Sequence, residues 1–388
     1  MSKYRVLALD GGGSWALIQA MALIDQYGGD ATGHEVLREF DMAAANSGGS
    51  VVLGCLVENM KLGDILAFFL SEEKRKSVFV EKLHLPSTPK YVAADKLKGL
   101  LAALPQRGSW FLPEAARDIR VASTGQPIHL LITSFDYDRN KGRFFRSKSA
   151  SGAAWGDGDP AQVRLADAIH ASSDAPVLFF DKPAQFPSEP GKRYWDGGIS
   201  GCNNPVLAAV TEAVVLGHAP DRIAALSIGT GTVCLPLSPA DPPPAVFYAP
   251  REKSCYLHDV KKLAGAIVDD PPDAASFIAH VLTGGPPGLP APVDSRIVRM
   301  NPMVSPVRNS AGEWDLPDGL HAGAFQKLAN LAMDAVAQAD VDAIQLLASL
   351  WLQDFVRNQP IRMDADLKKE LGQDLYGEAM TAWRAVSR

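Results

Sequence analysis

Cysteine is scarce in this chain: four residues in 388, at positions 55, 202, 234 and 255, none of them paired as CxxC. That scarcity excludes a scaffold built on disulfides, and the spacing offers no zinc site, so reduced thiols are expected. Long hydrophobic runs are missing too, and no stretch stays apolar for the roughly 20 residues that a membrane-spanning helix needs. Basic charge is in deficit, with 38 Lys and Arg against 44 Asp and Glu. The net charge of -6 argues against general nucleic-acid binding, because neutralising phosphates needs a positive field. The opening residues Met1-Ser2-Lys3-Tyr4-Arg5 lead straight into a short strand without the apolar core of a signal peptide, so a cytoplasmic location is expected. No internal repeat is visible.

What is present is ordinary globular composition, with 47% hydrophobic and 21% charged residues, enough for a sizeable core. Arg5 to Leu9 reads as a buried parallel strand, closed by Asp10-Gly11-Gly12-Gly13 before a helical pattern from Ala16 to Tyr27, with Leu17, Ala20, Met21 and Ile24 on one face. A second unit runs from Phe40 to Val57. Leu62 to Leu70 reads as a helix, and Glu72 to Lys76, including Lys74-Arg75-Lys76, as its solvated flank. His129 to Phe135 and Arg143 to Arg146 flank the polar stretch Asp136 to Gly142, which fits a hairpin with a longer loop. Fifteen of the 28 prolines fall between Pro236 and Pro317, so about 236–318 is expected to be an irregular rim or lid. Within it, Asp273 to Leu282 reads as a helix and Arg296 to Met300 as a strand. Ala322 to Leu352 is helical again, and short helices continue to Arg388.

Ser47 lies in Ala45-Asn46-Ser47-Gly48-Gly49, between an apolar strand and the helix-like Val51 to Val57. A serine among small residues at a helix start is most often an N-cap. In a nucleophile elbow, however, the same residues let the backbone turn sharply, so that the hydroxyl stands clear of the sheet. Acyl transfer by serine further needs a base and donors for an oxyanion. Asp10-Gly11-Gly12-Gly13 places successive backbone N–H groups at a strand-to-helix turn, which suits an anion. Asp196, in Asp196-Gly197-Gly198, is the candidate base, although Asp-Gly turns often serve only to bond their own backbone. None of the eight histidines occupies a setting that advertises a base.

Taken in order, these motifs resemble the patatin-like phospholipases, serine lipid acyl hydrolases with a Ser and Asp catalytic dyad. The family's opening DGGGxRG loop is matched by Asp10-Gly11-Gly12-Gly13-Ser14-Trp15-Ala16, its GxSxG elbow by Ala45-Asn46-Ser47-Gly48-Gly49, and its Asp-Gly-Gly turn with a following Asn-Pro by Asp196-Gly197-Gly198 and Asn204-Pro205. A small-residue run ending in Ala-Pro and aromatics is matched by Ala171 to Pro176 with Phe179 and Phe180, and a strand ending in Gly-Thr-Gly by Leu226 to Gly231. The matches span about 4–232. The resemblance implies a three-layer α/β fold in a single domain over 1–388, with a mostly parallel central sheet and helices on both faces. It implies Ser47 as nucleophile, Asp196 as base and Gly11, Gly12 and Gly13 as the oxyanion hole, with Asn46, Gly48, Gly49, Gly197 and Gly198 shaping the elbow and turn. The implied reaction is hydrolysis of lipid carboxylic esters, of phospholipase A or lysophospholipase type, at a membrane or micelle surface and without metal or cofactor. Family members switched on by nucleotide signals exist, but no motif here indicates that regulation.

Two positions depart from the family pattern. Trp15 stands where Arg or Lys is usual, either as a wall for an acyl chain or as a core residue, and Ala45 and Ala16 stand where glycine is usual. Three alternatives stay open on sequence alone. One is an actin-like or sugar-kinase-fold phosphotransferase reading the glycine loop as a phosphate turn. Another is an α/β-hydrolase triad completed by His258 or His280. The last is a patatin-fold lipid-binding or regulatory protein that has lost turnover.

Overall fold

A computed structural model of the chain describes residues 3–81, 89–148, 162–176, 179–235, 271–286, 295–364 and 367–388. His258, Cys255, the Pro242-Pro243-Pro244 run, Val177 and Leu178 lie outside the described residues.

Seven strands build one sheet: β1 (Tyr4–Leu9), β2 (Met42–Ala45), β3 (His129–Asp136), β4 (Lys141–Arg146), β5 (Tyr194–Asp196), β6 (Ile223–Ile228) and β7 (Ile297–Met300). Their order is β4-β3-β2-β1-β6-β7, with β5 also on β3. The β1, β2, β3, β6 and β7 pairings are parallel, and β4 and β5 run antiparallel to β3. β1 is central, and the chain after it turns directly into α1 (Leu17–Tyr27), with a 3-10 turn at Gly13–Ala16. An actin-like fold needs a hairpin at that point, so the kinase alternative falls.

Side chains of a strand alternate between the two faces of the sheet, and β1 shows it. Leu7 and Leu9 face one apolar layer, and Val6 and Ala8 the other. Helices on the first face include α1, α2 (Gly33–Leu37), α3 (Ser47–Val57), α4 (Leu62–Leu70), α5 (Glu72–Val78), α6 (Ala93–Ala103), α7 (Leu112–Arg117) and α8 (Leu165–Ser172). The opposite face is covered by α9 (Val206–Val215) and α10 (Pro271–Leu282), through Val206, Ala209, Val210, Ala275 and Ala279. α11 (Ala322–Asn330), α12 (Gln338–Leu352) and α13 (Tyr376–Val386) return to the first face. This is the three-layer α/β arrangement with a mostly parallel sheet. Each fully buried Leu, Ile or Val contributes roughly 1.5–3 kcal/mol, so the two layers dominate stability.

Four expectations are corrected. The hairpin between β3 and β4 is tight, because Lys141 and Gly142 already pair with Asp136 and Phe135. Pro271–Leu282 and Ile297–Met300 are not rim: β7 extends the central sheet and α10 packs beneath it. Ala322 to Leu352 is broken into α11 and α12. The residues after Leu70 form a separate helix, α5, capped by the Ser71 hydroxyl, and Arg75 on it is buried rather than solvated. Arg75 donates to the carbonyls of Phe69 and Val336 and to the Gln338 side chain, tying α4 and α5 to the chain before α12.

Candidate active site

The parallel strands β1, β2 and β6 end side by side, with Leu9 level with Ala45 and Ile228, so the loops that follow them share one edge of the sheet. This is where open α/β sheets place their ligands. After β1 comes the glycine loop, after β2 the elbow, and after β6 Gly229-Thr230-Gly231.

Ser47 is the first residue of α3 and has φ 47°. That left-handed conformation is costly for a residue with a Cβ, by roughly 1–2 kcal/mol, and is the strained turn an elbow needs. Neighbours hold it there: the Ser47 amide donates to Ser172 Oγ (2.9 Å), and Ser50 Oγ donates to the Ser47 carbonyl (2.5 Å). Gly48 lies so close to the glycine loop that a Cβ on it would sit 2.5 Å from the Gly13 oxygen. The Gly49 amide donates to the Asp10 carbonyl (3.1 Å). Ala45 stays in extended β2 at negative φ, so its methyl group is accommodated.

β3 explains how Asp196 reaches Ser47. Its first half pairs with β2 as far as Ala45, opposite Ile132, and its second half pairs with β5, where Asp196 lies opposite Ser134. β4 occupies the other edge of that second half, so β2 and β5 approach end to end along one edge of β3. At their meeting point Ser47 comes beside Asp196, since its neighbour Asn46 bonds the Asp196 carboxylate, and the Ser47 side chain helps keep that carboxylate ionised. Asn46 Nδ2 (3.0 Å) and the Gly198 amide (2.8 Å) donate to Asp196 Oδ1. Asn46 is itself fixed, since its Oδ1 accepts from Thr133 Oγ1 at 2.8 Å. Gly197 leaves room for this crossing, as a side chain there would overlap Asn46 and Thr133. Burial pushes the Asp196 carboxyl above its ordinary value, and the donors from Ser47, Gly198 and Asn46 oppose that shift.

The three loop glycines are not equivalent. The Gly11 amide is already paired with the Asn203 carbonyl (2.9 Å), and the Gly11 carbonyl accepts from Thr230 Oγ1 (2.6 Å). Gly12 and Gly13 have no acceptor for their amides among the described residues, and Gly13 has φ 56°. Asp10, at the base of the loop, forms a buried ion pair with Arg299 of β7.

An apolar pocket opens onto Ser47 and Gly13, walled by Val51, Phe68, Phe69, Phe79, Phe179 and Phe180. Val51 is one turn beyond Ser47 on the same helix face, which puts both on the pocket wall. Trp15 does not line it. Its ring is in the core, and Nε1 donates to the Ala332 carbonyl (3.2 Å). The cations that do line the pocket are Arg75 and Lys96.

A family model described as patatin-like phospholipase matches residues 7–210. The chain belongs to the patatin-like phospholipase family. It therefore stands among lipid acyl hydrolases, and the matched segment carries the glycine loop, Ser47 and Asp196. The crystal structure of VipD from Legionella pneumophila is similar at a TM-score of 0.36 and 11% identity, covering 90% of this chain and 67% of that one. No curated protein sequence matches the chain.

His280 belongs elsewhere: its ring bonds Ser295 Oγ (2.9 Å) and the Pro286 carbonyl (3.3 Å). Among the described residues no histidine hydrogen-bonds Ser47 or Asp196. Sequence reasoning passed over Arg75, Lys96, Asp174 and Arg299. The charge run hid Arg75, and Lys96 sits in a helix whose other charges, Asp95 and Lys98, are surface residues. Only Asp174 carried a signal, as an acid inside the otherwise small run Ala171 to Pro176. No helix of the described residues is long and apolar enough to cross a membrane.

Proposed function

We propose that the protein hydrolyses a fatty-acyl ester of a lipid, of phospholipase A or lysophospholipase type, through an acyl-serine intermediate. The observation that carries this reading is that Ser47, held at φ 47° on its turn, stands beside the buried Asp196 at the mouth of an apolar pocket. Asp196 takes the Ser47 proton as the oxygen attacks the ester carbonyl, and the oxyanion forms against the free amides of Gly12 and Gly13. Asp196 then returns the proton to the leaving alkoxide, which departs as the alcohol. In the second half Asp196 accepts a proton from water, the resulting hydroxide attacks the acyl-serine, and the proton returns to Ser47 as the fatty acid leaves. The aromatic wall holds the acyl chain and keeps bulk water from the reacting atoms. The lipid is met at a membrane or micelle surface, with the protein peripheral to it.

The test is labelling and product analysis. A fluorophosphonate should label wild type at Ser47 and leave Ser47→Ala unlabelled. Mass spectrometry of a phospholipid mixture should show free fatty acid and lyso products from wild type alone. Folded protein that neither labels nor releases fatty acid would overturn the reading.

A further inference from the structure

Lys96 and Asp174 form an ion pair with side-chain exposures of 1% and 0% and an Nζ to Oδ1 distance of 2.6 Å. Nothing in the dyad chemistry uses it. Removing two charges from water costs several kcal/mol each, so a buried pair adds little stability by itself. Its surroundings point to a use. The Asp174 carbonyl accepts the backbone amide of Asp196 (3.1 Å), so the residue that anchors Lys96 also anchors the base. Lys96 donates further to the His170 carbonyl (3.1 Å), and its ammonium lies 4.0 Å from the centre of the Phe180 ring. It thus lies in the wall of the pocket that Ser47 lines.

Asp196 meets a conflict that the pair can resolve. A base must be ionised, yet this carboxylate is buried, and the dipoles of Ser47, Gly198 and Asn46 bring no net charge. Resting on the assignment of Ser47 and Asp196 as nucleophile and base, we propose that Lys96, clamped by Asp174, is a positioning residue whose ammonium keeps Asp196 in the carboxylate form. The other titratable groups around the clamp do not take that role. His170 is driven well towards its neutral form by burial and by Lys96, and Asp181, beyond Asp174, is another acid. Burial pushes the Lys96 ammonium below its ordinary value, while Asp174 and, more weakly, Asp196 favour its charged form; Lys96 is the cation whose field favours the Asp196 carboxylate, against the repulsion between Asp196 and Asp174.

The experiment compares Lys96→Met and Lys96→Arg with wild type in the pH dependence of kcat on a short-chain nitrophenyl ester. The Asp196 carboxyl is followed in parallel by 13C NMR titration in a Ser47→Ala background. Lys96→Met should move the acid limb and the NMR midpoint upward by about one pH unit, with kcat recovering at alkaline pH and KM little changed, while Lys96→Arg keeps both near wild type. If Lys96→Met does not fold, the double replacement Lys96→Met/Asp174→Leu removes both buried charges; because Asp174 repels the Asp196 carboxylate, the midpoint should still move upward but by less than with Lys96→Met, and no upward movement would overturn the proposal. A kcat that falls equally at every pH with an unmoved NMR midpoint would overturn the proposal and leave the pair structural. The NMR titration needs no turnover. A wild type without esterase activity would therefore refute the hydrolase reading while the Asp196 midpoint still decides the role of Lys96.

Discussion

Arg299 Nη2 lies 2.6 Å from Asp10 Oδ2, and both side chains are 3% exposed. Asp10 opens the glycine loop, and Arg299 comes from β7, beyond the segment that the family model matches. The loop's geometry therefore depends on a strand far along the chain. Arg299 also donates to Ser227 Oγ (2.8 Å), which ties the clamp to β6.

Arg299→Met should lower unfolding free energy by about 3–5 kcal/mol near neutral pH, because it leaves a buried carboxylate without its partner. Burial already pushes the Asp10 carboxyl up to about 6 in spite of Arg299. An acid raised in this way binds its proton more tightly in the folded protein than in the unfolded chain. Its contribution to stability falls as pH rises from the ordinary carboxylate value through about 6. Without Arg299 the carboxyl rises further, so the variant's deficit should be larger at pH 8 than at pH 5. Urea denaturation at the two pH values reads the difference.

Ser47→Ala and Ser47→Gly should both lose roughly a thousandfold or more of ester hydrolysis. They should differ in stability. Both lack the hydroxyl, but only glycine relieves the φ of 47°, so Ser47→Gly should be the more stable by about 1 kcal/mol in thermal or chemical unfolding. Equal stability would mean that the elbow holds no strain.

Asp196→Asn should keep the fold and reduce kcat by orders of magnitude, since the amide cannot accept the Ser47 proton. In wild type, activity needs the ionised form and should fall as pH drops through the Asp196 midpoint. Burial raises that midpoint above the ordinary carboxylate value, so the acid limb of kcat against pH should lie above it as well.

Val51→Phe should discriminate among acyl chains. The side chain points into the pocket beside Ser47, and the larger ring fills space that a long chain would use. Long-chain nitrophenyl esters should lose about tenfold or more in kcat/KM, with the acetate ester close to wild type. A uniform loss across chain lengths would argue that the acyl chain lies elsewhere.

Much of this organisation was legible in the residues themselves. The continuous apolar character of Val6 to Leu9 identified a parallel strand buried on both faces. The small residues around Ser47 marked a tight turn, and glycine at 11, 12 and 13 marked a loop without side chains at the end of β1. These are local properties, set by Cβ sterics and by side-chain alternation along a strand.

What only the tertiary structure decided are the relations between distant segments. Ser47 meets Asp196 because β2 and β5 end against each other along β3, a register that no local pattern encodes. The Gly11 amide is withdrawn from the loop by the carbonyl of Asn203, and Trp15 lies in the core away from the pocket. Arg75 read as ordinary surface charge, and Lys96 and Arg299 drew no reading, because the sequence carries no mark of what surrounds them. Their burial depends on carbonyls and carboxylates brought from elsewhere in the chain, and a charge can stay inside only where such partners converge.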